Sequence, residues 1–324
     1  MYSFEDVVGN EKNIKYLKGL IKHDRIGNAY IFNAMDGGGK KLLSYAFAKA
    51  ILCKNDTACG VCHSCKSFDT KNNPDVIYVT PSKSILGVDE IREQINNNVS
   101  VKPYLSKHKV YIVHNADKMN IAAQNALLKT LEDPPQYAVI ILLANNINIF
   151  LRTILSRAVV LKMPPISEDT IQSHLRKLGI AELGVASAFS MGSIGRALDI
   201  AGNTEFNSNV DQVIHIALSI KSCDLIQLFG TYKQWESMKS NISECLDVLY
   251  IWYRDILVLS VHGDRTIIQN QNLIHETENY TPKGLINILH EIQKTKMNIS
   301  LNANFQLSME MLMMKLKENT GADK

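Results

Sequence analysis

The sequence predicts an α/β domain, a parallel sheet carrying a phosphate-loop-like turn and an inserted four-cysteine module, followed by helices alone. Three observations predict it. Up to about residue 163, short apolar β-branched runs alternate with helical patterns, the signature of strands joined by crossover helices. The first strand runs into Gly37-Gly38-Gly39-Lys40, and a helical pattern follows at once. Beyond Met163-Pro164-Pro165 no strand pattern recurs.

The strands expected are Tyr30–Phe32, Val76–Val79, Val110–Val113, Val139–Leu143 and Val159–Leu161. Several are continuously apolar instead of alternating, which suits strands covered on both faces. Helices are expected at Lys41–Leu52 and Asn120–Glu132. Asn120 is placed to cap the second, and Asp133-Pro134-Pro135 to end it. Pro164-Pro165 and Ser167-Glu168-Asp169 read as a connector and a helix start. Residues 166–205 carry short helical patterns with breaks expected at Gly179, Gly184 and Gly192-Ser193-Ile194-Gly195. Longer amphipathic runs follow, at Ile242–Val261 and Leu301–Lys317. The division expected is an α/β domain over 1–163 with the cysteine module at 53–65, a small helical lid domain over 164–205, and an all-α domain over 206–324.

Thirty-five basic and thirty-two acidic residues leave a formal charge of +3. Any nucleic-acid contact then has to come from a local patch and not from the overall field. The longest apolar run, Tyr137–Ala144, is far short of the about 18 residues a membrane-spanning helix needs. Tyr2-Ser3-Phe4-Glu5-Asp6 has no basic, then apolar, signal pattern. The expectation is a cytoplasmic chain with reduced cysteines and no membrane partner.

A strand, a glycine-rich turn, a lysine and a helix together make a phosphate cradle. The glycines let backbone N–H groups face the anion, and the lysine reaches the outer phosphates. Gly37, Gly38, Gly39 and Lys40 supply these parts, but Ala34 replaces the first glycine, and Lys41 stands where Ser or Thr would hold Mg²⁺. An ATPase on this plan also needs an acidic pair at the end of a later strand. After Val110–Val113 come His114-Asn115, and Asp117 falls too late. ATP hydrolysis is therefore not expected, and nucleotide binding is expected to be weak or absent.

Cys53, Cys59, Cys62 and Cys65 fall within thirteen residues, with two Cys-x-x-Cys steps. Four thiolates so close fit a closed tetrahedral structural zinc site, with Gly60 turning the chain between ligands. The competing reading is a set of reduced thiols or a redox pair. Cys223 and Cys245, in the helical part, read as small buried apolar residues. Ser156-Arg157, after the loop Asn145–Leu155, sits at the start of the last strand. Its position suits either a surface salt bridge or a guanidinium reaching a phosphate on a neighbouring subunit.

Taken together, several segments carry a resemblance. They are Phe4–Gly9, the Gly-Gly-Lys-Lys loop, the cysteine module, Asn73-Pro74-Asp75, Lys109–Lys118, Ala126–Pro135, Ser156-Arg157, Gly192–Leu198 and Asn302–Leu307. In that order they resemble the delta-prime family of bacterial DNA polymerase III clamp-loader subunits, which have an AAA+ fold. The resemblance covers nearly the whole chain. It implies a non-hydrolysing stator in a hetero-pentamer with gamma/tau and delta subunits, which loads the beta sliding clamp onto primer-template DNA. It implies that Arg157 is an arginine finger serving a neighbouring gamma/tau subunit's ATP. Ala158 here replaces the family's cysteine after that arginine. Asn145 or Asn146 falls at the first sensor position and Arg196 at the second. The C-terminal helices, with Tyr250–Tyr253 and Met309–Met314, would supply core and subunit interface in a ring-shaped collar. The other readings are an active gamma/tau-type ATPase, and a zinc-bearing DNA-binding protein on a decayed phosphate-loop fold.

Overall fold

The computed structural model describes residues 2–81, 85–180, 183–220, 222–263 and 280–320. Five strands form one parallel sheet: β1 (Ala29–Asn33), β2 (Val76–Val79), β3 (Lys109–Val113), β4 (Ala138–Ala144) and β5 (Val159–Lys162), in the order β2-β3-β4-β1-β5. Each expected strand is present, extended by up to a residue at either end. The apolar runs are continuous because alternate residues feed two cores. Tyr30 and Phe32 face one side of the sheet with Val110 and Ile112. Ile31, Tyr111 and Val113 face the other. On the first side the core is closed by α1 (Glu11–Lys22) and α2 (Lys40–Leu52), through Leu17, Leu43 and Phe47. On the second it is closed by α4 (Val88–Ile91) and α5 (Ile121–Glu132), through Ile91, Leu127 and Leu131. A seven-residue α3 (His63–Asp69) ends the cysteine module. Asn120 caps α5 as expected, its side chain accepting the Ala123 N–H at 2.8 Å.

Packing divides the chain into two units. The first holds residues 1–178 and 192–196, the second 179–191 and 197–324. The first unit also contains α6 (Arg152–Leu155) and α7 (Glu168–Lys177). The second carries helices and no strand among its described residues: α8 (Leu183–Phe189), most of α9 (Ile194–Ala201), α10 (Thr204–Ser219), α11 (Leu225–Gly230), α12 (Tyr232–Ser237), α13 (Ile242–His262), α14 (Pro282–Ser300) and α15 (Phe305–Thr320). Helix α14 packs on both α13 and α15, and Trp252, Leu285, Ile288 and Leu312 of these three helices are buried.

Four local expectations change. Gly184 and Gly195 lie inside α8 and α9 and break neither; the turn falls at Gly192, whose φ is +83°. The run Leu301–Lys317 is not one helix. Leu301 caps the end of α14, Asn302 takes a left-handed turn, and Asn304 caps α15 by accepting the Leu307 N–H. Apolar periodicity runs across that corner, but the asparagines offer the backbone side-chain partners that compete with helix. Ser156-Arg157 precedes β5 by two residues and follows α6, so the loop expected over 145–155 contains a helical turn. Cys245 is buried as expected, whereas Cys223 is only half-buried. No helix among the described residues is long and apolar enough to cross a membrane.

Candidate functional site

The glycine turn joins β1 to α2 with Gly37 and Gly39 at φ +69° and +83°, a backbone that side chains resist. Its lysine is fully engaged by the protein. Lys40 Nζ meets the carbonyls of Ala34 (3.4 Å) and Met35 (3.3 Å), Asp36 Oδ1 (3.3 Å) and the side-chain oxygen of Asn145. Residues 192–196 of the same unit close over the turn. Ser193 Oγ donates to the Asp36 carbonyl at 3.0 Å, and the Gly195 N–H donates to the Gly37 carbonyl at 3.1 Å. The two backbones touch, so a Cβ on Gly195 would lie 2.8 Å from Gly37 Cα. Of the two candidate sensor asparagines, Asn145 reaches Lys40, while Asn146 turns away to accept the Asn148 N–H at 2.9 Å. Arg196 is near the loop: its backbone N–H donates to Ser193 Oγ.

At the end of β3, the place of an acidic pair is filled by something chemically unlike one. His114 Nε2 lies 3.1 Å from the Tyr45 hydroxyl. Around this pair stand Tyr2, Phe68 and Tyr78, each ring within 5.6 Å of Tyr45 or in edge contact with it. Burial lowers the His114 pKa, and Lys41 and Lys71 push it the same way, so the ring favours its neutral form. Lys41, standing where a Mg²⁺ hydroxyl would be, places its ammonium 5.7 Å over the Tyr45 ring. Asn115 is exposed in a left-handed turn, and Asp117 sits in the short turn after it.

The four cysteines converge, their Sγ atoms all lying within 4.8 Å of one another. A zinc ion with Zn–S bonds of about 2.3 Å separates its sulfurs by about 3.8 Å. Cys62 and Cys53 already stand at 4.0 Å. The donor set fits a closed tetrathiolate site, with Gly60 turning at φ +73° and His63 outside it, exposed at the start of α3. The surroundings favour thiolates selectively. Burial opposes ionisation of Cys53, but the backbone N–H groups of Cys59, Thr57 and Asn55 outweigh it and bring the thiol to about 6. Cys62 is lowered against its own burial by the N–H groups of Lys54 and Cys65. Cys65 is driven up by burial, then by the Cys62 and Cys53 sulfurs. A divalent cation relieves that conflict, because it neutralises the charge the sulfurs impose on each other.

Arg157 follows α6 at an edge of the first unit, half-exposed. Its guanidinium pairs with Glu132 at 3.2 Å and donates to the Thr153 carbonyl at 3.1 Å. The structure therefore joins the phosphate turn to Asn145 and Ser193, and leaves Arg157 and the cysteines in places of their own. Sequence reasoning missed Tyr45, whose partner is 69 positions away, and Ser193, whose partner is 157 positions away. Neither residue type nor spacing marks either one.

A family profile described as DNA polymerase III, delta subunit, matches residues 9–167. DNA polymerase III subunit delta' of Bacillus subtilis (strain 168) is 27% identical over 315 residues, covering 94% of this chain and 95% of that protein. DNA polymerase III subunit tau of the same organism is 32% identical over 257 residues, covering 76% of this chain but 45% of that longer protein. A solved DNA polymerase III gamma subunit-related protein from Thermotoga maritima is 21% identical, with a TM-score of 0.45, over 94% of this chain and 99% of that one. The resemblance drawn from the motifs is borne out by the profile and the two Bacillus subtilis relatives.

Proposed function

This chain is a relative of the clamp-loader subunits of DNA polymerase III, and from that premise we propose that it is the non-hydrolysing, delta-prime-type subunit. The observation that carries the reading is the His114–Tyr45 pair at the end of β3. An ATPase needs a carboxylate there to hold Mg²⁺ and another to orient water. A neutral imidazole bonded to a phenol inside an aromatic cluster supplies neither. Lys41 removes the second Mg²⁺ contact, and Lys40 already has protein oxygens as partners. Two separate departures thus weaken the same metal site.

What this subunit gives the assembly is Arg157. Its pair with Glu132 joins two solvent-accessible groups, and such pairs hold by about 1 kcal/mol or less. A neighbour's triphosphate can therefore draw the guanidinium away at small cost, and an arginine supplied in trans is worth roughly 10³–10⁵ in phosphoryl-transfer rate. The cysteine module is assigned a structural zinc ion held by Cys53, Cys59, Cys62 and Cys65, with no catalytic part. Asn145 and Arg196 occupy sensor positions and here help to keep the turn closed. Residues 164–205 are assigned as the lid, and 206–324 as this subunit's share of a collar with gamma/tau and delta partners. The beta clamp and primer-template DNA are engaged through that cytoplasmic assembly.

A second reading, an active gamma/tau-type subunit, is favoured by one observation: the glycine turn and Lys40 keep the backbone of a phosphate cradle. One experiment separates the two. ATP turnover is measured with gamma/tau, delta, clamp and primed DNA, adding either no third subunit, this chain or its Arg157→Ala variant. The proposal expects this chain to restore turnover, the variant to restore less although it assembles equally, and the isolated chain to hydrolyse nothing. Turnover by the isolated chain would support the second reading.

A further inference from the structure

The four cysteines form one donor set in two different surroundings. Cys65 is fully buried and Cys53 nearly so, whereas Cys59 and Cys62 are half-exposed. The buried pair belongs to a frame that reaches beyond the module. Asn73 donates to the carbonyl and hydroxyl of Ser64, the neighbour of Cys65. Ser64 and Ser106 share a hydrogen bond at 3.1 Å, and Ser106 also donates to the carbonyl of Leu52, the neighbour of Cys53. Asp75, with 1% of its surface exposed, fixes the loop that carries Ser106. It accepts the N–H groups of Tyr104, Leu105 and Ser106 at 2.5, 2.7 and 2.7 Å. Both ends of the module are thus tied to this fixed loop.

The stretch between the ends is not tied in this way. Among the described residues, no hydrogen bond or ion pair joins residues 54–63 to anything outside residues 53–66. Asp56, Ala58 and Gly60 all turn left-handed, at φ +56°, +55° and +73°. For alanine that backbone is strained, because its Cβ crowds the turn and no side-chain hydrogen bond offsets it. The sulfurs at either end of this stretch are held unequally as well. Cys53 Sγ accepts the N–H groups of Asn55 and Cys59 at 3.4 and 3.5 Å, and Cys62 Sγ accepts that of Cys65 at 3.4 Å. No such backbone bond reaches Cys59 Sγ among the described residues. Cys62 lines an open cavity of about 380 Å³.

We infer that Cys59 and Cys62 form a redox-modification site for small neutral hydroperoxides, its loss of metal resting on the zinc reading of the module. The Cys62 thiolate attacks a peroxide oxygen; the O–O bond breaks, hydroxide leaves, and Cys62 becomes a sulfenic acid. The Cys59 thiolate then attacks that sulfur. The S–S bond forms as the S–O bond breaks, and a second hydroxide leaves. The two thiolates lose two electrons and the peroxide gains them. Zinc, left with Cys53 and Cys65 alone, is released. Cys62 reacts first because it is half-exposed and faces the cavity, and an uncharged oxidant is not repelled by the sulfurs around it. Cys59 closes the disulfide because it stands three residues away and its sulfur is the least tied. The frame keeps Cys53 and Cys65 out of the reaction, and parting Cys59 and Cys62 from the metal lets the strained turn relax.

The test treats the full chain, its zinc content first measured, with hydrogen peroxide. Released zinc is read with a chromogenic chelator, sulfenic acid is trapped with dimedone, and disulfides are mapped on non-reduced peptides by mass spectrometry. One zinc is expected to leave per disulfide, with the bond at Cys59–Cys62 and the first dimedone adduct at Cys62. Cys53 and Cys65 are expected to oxidise at least about tenfold more slowly. Cys59→Ala is expected to lose the disulfide and accumulate the Cys62 adduct; if that variant does not fold, the wild-type map decides alone. A disulfide to Cys53 or Cys65, a first adduct elsewhere in the module, or reaction no faster than at half-buried Cys223 would overturn the proposal. A chain that carries no zinc would overturn the zinc reading instead, and the disulfide map, read on that chain all the same, would still decide between Cys59–Cys62 and the other pairings.

Discussion

The phosphate turn and the cysteine module lie in the same unit, both end on a helix, and both have the shape of a ligand site, yet they meet their own demands in opposite ways. At the turn, the protein answers itself. Lys40 has Asn145, Asp36 and two carbonyls, and the carbonyls of Asp36 and Gly37 have Ser193 and Gly195. In the cysteine module, backbone N–H groups lower Cys53 and Cys62, and the resulting charge falls on Cys65. A site whose polar groups already have partners tolerates the loss of its ligand. A site whose groups oppose one another would be relieved by an ion from outside, which is the part proposed for zinc.

The largest effect that would sharpen this contrast is loss of the proposed metal. Cys65→Ser, or prolonged exposure to a strong chelator, is expected to cost on the order of 4 kcal/mol and to lower Tm steeply. Saturating Mg–ATP is expected to leave Tm unchanged, since a ligand stabilises only by binding the native state. A thermal melt that rises with Mg–ATP and ignores the chelator would invert the comparison.

Next in size is Asp75→Asn. It keeps the shape but removes the charge and turns a donor toward three N–H groups, at a cost of about 3 kcal/mol. Hydrogen exchange at Tyr104, Leu105 and Ser106 reads this directly. Fast exchange confined to those amides, with the thiols still protected, would show the loop and the module to be separable.

Gly195→Ala tests the closed turn. Alanine is the better helix former by about 1 kcal/mol, but its Cβ would strike Gly37 Cα at 2.8 Å, so a net loss of about 2 kcal/mol is expected. Gly184, also within a helix, has nothing within 4 Å of the same added atom, so Gly184→Ala should be neutral or stabilising. Equal outcomes for the two glycines would mean that the turn is not clamped.

The smallest effect is the pH response of His114. Its folded pKa is lowered from 6.5, chiefly by burial and then by Lys41 and Lys71, so below pH 6.5 the unfolded chain binds the proton more readily. Stability from this group is present above about 6.5 and declines as pH falls towards the folded value. His114→Gln should flatten the stability profile in that window, read from unfolding midpoints measured across it. His108, also lowered by burial, contributes with the same sign and stays in place in that variant.

Much of this was legible before any coordinates. Cys53 to Cys65 is a local run, and closely spaced thiols have few geometries open to them. Asn120 caps its helix through a contact three residues away. The strands announced themselves because both faces of the sheet are covered. Where reading failed, as at Leu301–Lys317, apolar period carried across a corner that two asparagines stabilise.

The sequence by itself determined the α/β unit with its glycine turn, the tetrathiol cluster, the missing acidic pair and the helical remainder, since each depends on residue type and short spacing. Only the tertiary structure decided that Ser193 and Gly195 close over the turn, that Tyr45 takes the hydrogen bond of His114, that Glu132 holds Arg157, and that Asp75 fixes a loop 29 to 31 positions onward. Those pairings join segments distant in the chain, and which distant groups meet is set by how the sheet orders its strands and not by the chemistry of any one stretch.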